Sequence, residues 1–342
     1  MSVATAPLIQ RYGRTAELGD LVTAAVWAGD RAAFALGDGT VRWLGLGEDE
    51  RRVCAHDGAV LCMAVDPGGR GVLTGGDDGR VLRVEPDGAV AEAGRFRGWV
   101  EHLVVSPTSG VAAAAVGKEA IVWASGDAPA HRFAFPSTVG GLALDGRGKR
   151  LAVSHYGGAS VVLAASAQAK PQLLPWGGSH LHCAFRPQGD YVVTACQELG
   201  LHGWKLTDRK SMAMSGYRAK TRSFSWNDKA RLLATSGDDQ VIIWPFEGKD
   251  GPMGKKPLIV GAREAIVTQV AFQPGSDMLA VGYRDGAIHY VRLADDAHLE
   301  IEEPGDGAVT ALAWNADGSA LLYGREDGRV GLLDMSAKAP AA

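Results

Sequence analysis

The 342-residue chain carries 46 glycines, roughly twice the usual frequency, which is unusual for an ordinary two-domain enzyme. Charged residues make up 22% and hydrophobic ones 46%, the balance of a folding chain. Lys+Arg 35 against Asp+Glu 39 gives a formal charge of −4, which argues against a protein built to coat nucleic acid.

At the start of the chain, MSVATAPLIQRYGRTAEL has no basic region followed by an apolar stretch, so it does not read as a secretory leader. The longest apolar runs, such as Val111–Val116, are far too short to cross a bilayer. Cys54, Cys62, Cys183 and Cys196 form no CxxC pair, so neither a disulfide framework nor a zinc ribbon is indicated. They read as reduced thiols in a cytoplasmic protein.

From residue 20 onward the chain repeats. Tight Asp-Gly turns recur at Asp38-Gly39, Asp78-Gly79, Asp285-Gly286 and Asp327-Gly328. Degenerate versions fall between them at Lys118-Glu119, Gly157-Gly158, Glu198-Leu199 and Asp239-Gln240. The step is close to 40 residues, a period that marks a repeat architecture. The one longer step contains Glu247–Pro257 (EGKDGPMGKKP), whose Gly, Pro and Lys content reads as a surface insertion.

Each repeat opens with an apolar strand: VLCMAVDP (Val60–Pro67), VEHLVVSP (Val100–Pro107), VTQVAFQP (Val267–Pro274), VTALAWNA (Val309–Ala316). A second strand precedes the Asp-Gly turn, and a third follows it, as in TVRWL, RVLRV, AIVWA, QVIIW and RVGLL. A more polar fourth strand closes the repeat: ERRVCA, PAHRFAF, KSMAMSG, AHLEIEE. Short runs rich in β-branched and aromatic residues between Gly/Asp turns are strands. No segment sustains a 3.6-residue apolar period, so almost no helix is predicted.

Four antiparallel strands per repeat describe a propeller blade. One position of the first strand is repeatedly small (Ala64, Ala143, Ala184, Ser225, Ala271, Ala313), as crowding near an axis requires. The next position is large (Trp27, Phe185, Trp226, Phe272, Trp314) and is predicted to fill the layer between blades. The stretches VLTGGDDGRVLRV (72–84), LLATSGDDQVIIW (232–244) and LLYGREDGRVGLLD (321–334) resemble the WD40-repeat family, and the resemblance runs over essentially the whole chain. It departs in detail. No Trp-Asp dipeptide occurs, only Trp204 and Trp244 occupy the Trp slot of the third strand, and only His56 matches the family's pre-strand histidine. The Asp–His–Ser/Thr–Trp set that the resemblance implies is therefore incomplete in most blades.

Innermost strands begin near residues 22, 60, 100, 139, 180, 221, 267 and 309, which predicts eight blades, with seven as the alternative. The repeats fall at about 20–57, 58–97, 98–136, 137–176, 177–219, 220–262, 263–304 and 305–335, within one β-propeller domain over 1–342. The last repeat lacks a fourth strand, and Pro7–Thr15 has no repeat of its own. The segment 7–15 is therefore predicted to complete the last blade, removing open sheet edges.

No GxSxG elbow, HExxH or P-loop occurs, and DPGGRGVLTGG has no helix after it to cradle a phosphate. The acidic residues read as turn and solvated-face residues, so neither catalysis nor a cofactor is predicted. His102, His155 and His182 are the candidate metal ligands, with His180, Cys183, Cys196 and His202 nearby in the fifth repeat. They read first as channel-lining or hydrogen-bonded histidines. A metal- or small-ligand-binding propeller is the alternative function.

The leading expectation is a scaffold or adaptor, probed through the loops before the innermost strands and the Asp-Gly turns. Those loops carry Arg97, Trp99, Tyr156, Trp176, Tyr217, Arg218, Arg263, Tyr283, Arg284 and Arg325. Aromatic and Arg residues are enriched at interface hot spots. Such a face predicts a protein partner, acidic or phosphorylated, with nucleic acid and membrane disfavoured and the propeller itself monomeric.

Overall fold

The computed structural model describes residues 6–47, 50–124 and 129–336. The extreme N-terminus and the tail 337–342 lie outside the described residues. Among the described residues the chain is all-β apart from one five-residue helix, Leu8–Tyr12. The second repeat shows why: its strands are Val60–Val65, Val72–Gly76, Arg80–Val84 and Val90–Arg95, separated by turns that cannot continue a strand. In the first turn Gly69 N donates to Asp66 O (3.0 Å), and Gly71 N donates to the Asp66 carboxylate (3.3 Å). In the second, Arg80 N donates to Asp78 Oδ1 (3.0 Å) and Gly79 takes φ +76°. A side chain at Gly79 would run into the carbonyls of Phe96 and Gly98, so this position needs glycine for both conformation and space.

The expectation of eight separate blades is corrected to its alternative of seven: among the described residues the strands form seven hydrogen-bonded sheets, six of four strands and one of six. The six-stranded sheet carries the fourth and fifth repeats together. Its two longest strands, Arg150–Leu163 and Gln172–Phe185, each run for 14 residues. The first returns beside itself at Gly157-Gly158, with Ala164 N donating to Lys149 O (2.9 Å) across the far end. The second pairs Gln172 with Val161 as an outer strand and then His182 with Ala195 as an innermost one. The pair Tyr156↔Ser179 keeps the ladder continuous between them. Gly140 and Gly141 bring the two innermost strands close: a methyl at Gly141 would sit 2.9 Å from the His182 Cα.

The chain divides into two compact units. One comprises residues 1–34, 43–50 and 222–342. Here the large positions of the innermost strand act as expected: Trp27 Nε1 donates to Ala313 O and Trp314 Nε1 to Ala271 O, each at 3.1 Å. Thr268 Oγ1 donates to Val309 O (2.7 Å), a second bond between the strands that Trp314 and Ala271 join. The apolar layers include Val270, Phe272, Leu279 and Val281, and Ile9, Val309, Leu321 and Tyr323.

Strand Gly13–Glu17 completes the last sheet, pairing Gly13 with Leu333 through Glu17 with Arg329. The predicted closing strand 7–15 is thus displaced toward the C-terminus. Residues 8–12 instead form the helix, whose Leu8, Ile9 and Tyr12 lie within one turn of each other and pack into the apolar layer.

The other unit comprises residues 35–42 and 51–221. Its layers gather Leu103, Ala112, Ile121 and Trp123, then Val122, Phe133, Leu142 and Leu151, then Leu174, Phe185, Val192 and Trp204. Cys62, Cys183 and Cys196 are unbridged thiols that burial pushes up to about 12, about 12 and about 11. They stay protonated and pack as small apolar groups.

Candidate functional site: the rim of pre-strand loops and Asp turns

Register fixes which groups meet at the rim. Val60 pairs with Gly76, Val100 with Val116, His180 with Cys196, Val267 with Tyr283 and Val309 with Arg325. The loop entering each first strand therefore lies beside the turn leaving the second. In the second repeat the space between them is filled by His56, with Nδ1 2.9 Å from Asp78 Oδ1 and Nε2 2.9 Å from Thr74 Oγ1. Burial works to raise the Asp78 pKa, but the hydrogen bond from His56 and those from backbone N–H groups outweigh it and hold the carboxyl below its ordinary value. Val84 stands in the Trp slot, so three of the four expected members are present.

The eighth repeat inverts the arrangement. Its loop position is Gly305, and the space is occupied from the other side by Arg325, which pairs with Asp327 (2.5 Å). In the second repeat it is Gly76 that leaves room for the His56 ring. The seventh repeat shares the space: Arg263 pairs with Asp285 (2.6 Å) and lies 5.5 Å from the Tyr283 ring centroid, while the Tyr283 hydroxyl donates to Gly261 O (2.7 Å). Each is an internal lock. His56→Ala, which strands the Thr74 hydroxyl and the Asp78 carboxylate, is expected to cost about 1–3 kcal/mol in urea unfolding, and an unchanged midpoint would remove His56 from the lock.

These locks correct the candidate interface residues. Tyr217, Tyr283 and Arg325 are buried, and Arg263 is committed to Asp285, so none presents a free side chain to a partner. Arg97, Arg218 and Arg284 are exposed. Trp99, Tyr156 and Trp176 are exposed by 61%, 67% and 45%, high for aromatic rings.

Of the three candidate histidines, His102 and His182 lie near enough to interact electrostatically. Both His155 nitrogens are engaged, by Tyr156 O and by Ser160 Oγ at 2.9 Å each, and its ring stacks on Phe135. Burial, with the charge of His102, brings His182 down to about 4. Among the described residues no group of three or more His, Cys, Asp and Glu side chains is placed to hold a metal ion. Where the fourth repeat meets the fifth, the structure instead builds an aromatic stack that sequence reasoning missed. Trp176 lies 3.8 Å from His202, nearly parallel at 18°, and Trp204 meets His202 edge-on at 4.6 Å. Neither His202 nitrogen has a hydrogen-bond partner among the described residues. His180 beside it is satisfied by Thr194 Oγ1 (2.7 Å) and Trp176 O (3.3 Å). The cross-strand pair Thr194↔His202 was the available signal, since it puts His202 on the same sheet face as Cys196 and Trp204.

Comparison with known proteins agrees with the repeat geometry. The family described as WD domain, G-beta repeat matches residues 47–82, which contain the His56–Thr74–Asp78 lock. The family of the anaphase-promoting complex subunit 4 WD40 domain matches residues 270–341. Both matches support a WD40-repeat family. The chain is 27% identical over 152 residues to the WD repeat-containing protein SL1-17 of Schistosoma mansoni, covering 42% of the chain and 48% of that protein. It is 26% identical over 126 residues to the U3 small nucleolar RNA-associated protein 12 of Saccharomyces cerevisiae, covering 36% of the chain and 13% of that protein. It therefore spans about half or less of the length of these curated relatives. The crystal structure of the computationally designed Ika8 protein superposes with a TM-score of 0.78 at 16% identity, covering 93% of the chain and 97% of that structure. At that identity the likeness shows the fold alone, an all-β β-propeller. Among the described residues no helix is long and apolar enough to cross a membrane.

Proposed function

We propose that this WD40 propeller is a non-enzymatic protein-interaction scaffold working in the cytoplasm as a monomeric propeller. The observation that carries the reading is the exposure of Trp99, Tyr156 and Trp176 on one unit, at positions where the neighbouring locks are buried. Large aromatic rings left in water cost hydration free energy that a partner recovers by covering them. Arg97 and Arg218 of the same unit are exposed, which supports an acidic or phosphorylated segment as the partner's contact with them. Partner capture from native lysate tests this. Wild type is expected to recover a specific protein that the Trp99→Ala/Trp176→Ala variant loses by more than about tenfold, since hot-spot truncations cost about 2 kcal/mol or more each. Identical capture by both would overturn the reading.

A further inference from the structure

The rim of the six-stranded sheet carries a surface whose sign is opposite to that of the arginines. Tyr156 pairs with Ser179 and Gly158 with Pro175, so Tyr156 and Trp176 flank the same stretch of ladder. Between and beside them stand Gly157, Gly158, Gly177 and Gly178. A side-chain carbon placed at Gly157 or Gly177 would meet no atom within 4 Å, so the backbone there is open, whereas at Gly158 it would run into Leu174 O. At Gly178 the same carbon would lie within 3.0 Å of the Glu198 carboxylate, which therefore stands over that glycine. Leu199 follows at the rim, 40% exposed and at φ +56°.

Two properties make this a site and not a gap. Trp176 is fixed before anything binds: one ring face is covered by His202, and its carbonyl accepts from His180. Glu198 is exposed, and among the described residues no cation pairs with it. A held indole, a second ring and an unneutralised carboxylate around open backbone match one chemistry, an elongated cation with an apolar stem.

We propose that the exposed Tyr156–Trp176–Glu198 surface is a subsite for a basic side chain, arginine or lysine, of a protein partner. The cation meets the Glu198 carboxylate while its stem and charge lie against the Trp176 and Tyr156 rings. This goes beyond the acidic contact proposed above and rests on that reading only in taking the partner to be a protein.

The test uses the whole protein labelled with 5-fluorotryptophan, with the Trp176 resonance assigned by its loss in Trp176→Phe. Nα-acetyl-arginine methylamide is titrated in, with the neutral, nearly isosteric citrulline analogue as control. A saturable shift of the Trp176 resonance with the arginine probe alone, weakened about two- to fivefold in Glu198→Gln, is the expected result. An equal response to citrulline, no saturable shift up to about 50 mM, where even a millimolar site is filled, or unchanged affinity in Glu198→Gln would overturn the proposal. Because Glu198 is exposed, Glu198→Gln is expected to keep the wild-type melting temperature. A positive titration with failed partner capture leaves the subsite standing without the scaffold reading, and the reverse removes the subsite alone.

Discussion

Deleting residues 1–17 is expected to lower the melting temperature by more than about 10 °C and to make the protein aggregate on heating. The deletion removes the helix Leu8–Tyr12 and the strand Gly13–Glu17, whose five residues pair with the last strand. It exposes the far edge of Arg329–Asp334, a strand whose Val330, Leu332 and Leu333 are fully buried. It also uncovers the layer that Ile9 seals, a side chain only 2% exposed, whose burial alone contributes about 2–3 kcal/mol. The Arg329 guanidinium loses Glu17 (2.8 Å) and keeps only Glu302 (3.5 Å). An open, apolar edge strand is a template for pairing with another chain, which is why aggregation accompanies the loss of stability. Thermal melts followed by light scattering at several protein concentrations check both parts. A melt superimposable on wild type would mean the terminal strand adds nothing.

The repeat pattern was readable because its punctuation is stereochemical. Gly39, Gly79, Gly286 and Gly328 all take positive φ, from +76° to +86°, a region that side-chain-bearing residues avoid. The first-strand columns were readable because a small residue next to a large one has a single use in stacked sheets, which Trp27 and Trp314 fulfil with the same indole-to-carbonyl bond. The number of sheets was not readable. Joining the fourth and fifth repeats depends on Tyr156↔Ser179, a pairing made by backbone groups that any residue supplies.

The burial of Tyr217, Tyr283 and Arg325 was hidden for a related reason. A pre-strand arginine or turn tyrosine looks the same in sequence whether it faces water or fills a lock. The distinguishing signal lies in two columns read together: Gly76 stands opposite His56, and Gly305 opposite Arg325. Where the facing position is glycine, the large partner points inward. No such glycine faces Trp176, and it remains 45% exposed on top of His202.

That buried imidazole sets the second large effect, a loss of stability in mild acid. His202 is 1% exposed, and burial, followed by the nearby charge of His180, lowers its pKa from 6.5 to about 4. His182 and His289 are lowered to about 4 as well, burial again being the chief cause. A depressed histidine pKa means that the fold holds the neutral ring while the unfolded chain takes up the proton more readily. Stability is therefore complete above about pH 6.5 and falls as the pH drops toward 4, by up to about 1.4 kcal/mol per pH unit for each such histidine. Urea midpoints measured from pH 7.5 to 4 are expected to decline mainly below 6.5, and a flat profile would contradict the buried neutral rings. His202→Phe isolates one contribution. Since neither ring nitrogen has a partner among the described residues, a phenyl ring keeps the stack on Trp176 and forfeits no hydrogen bond, so the variant is expected to be at least as stable as wild type at pH 7.5. Its acid slope should be shallower by about one proton. A variant that is markedly less stable at pH 7.5 would instead place an ordered water or a bound group on the His202 nitrogens.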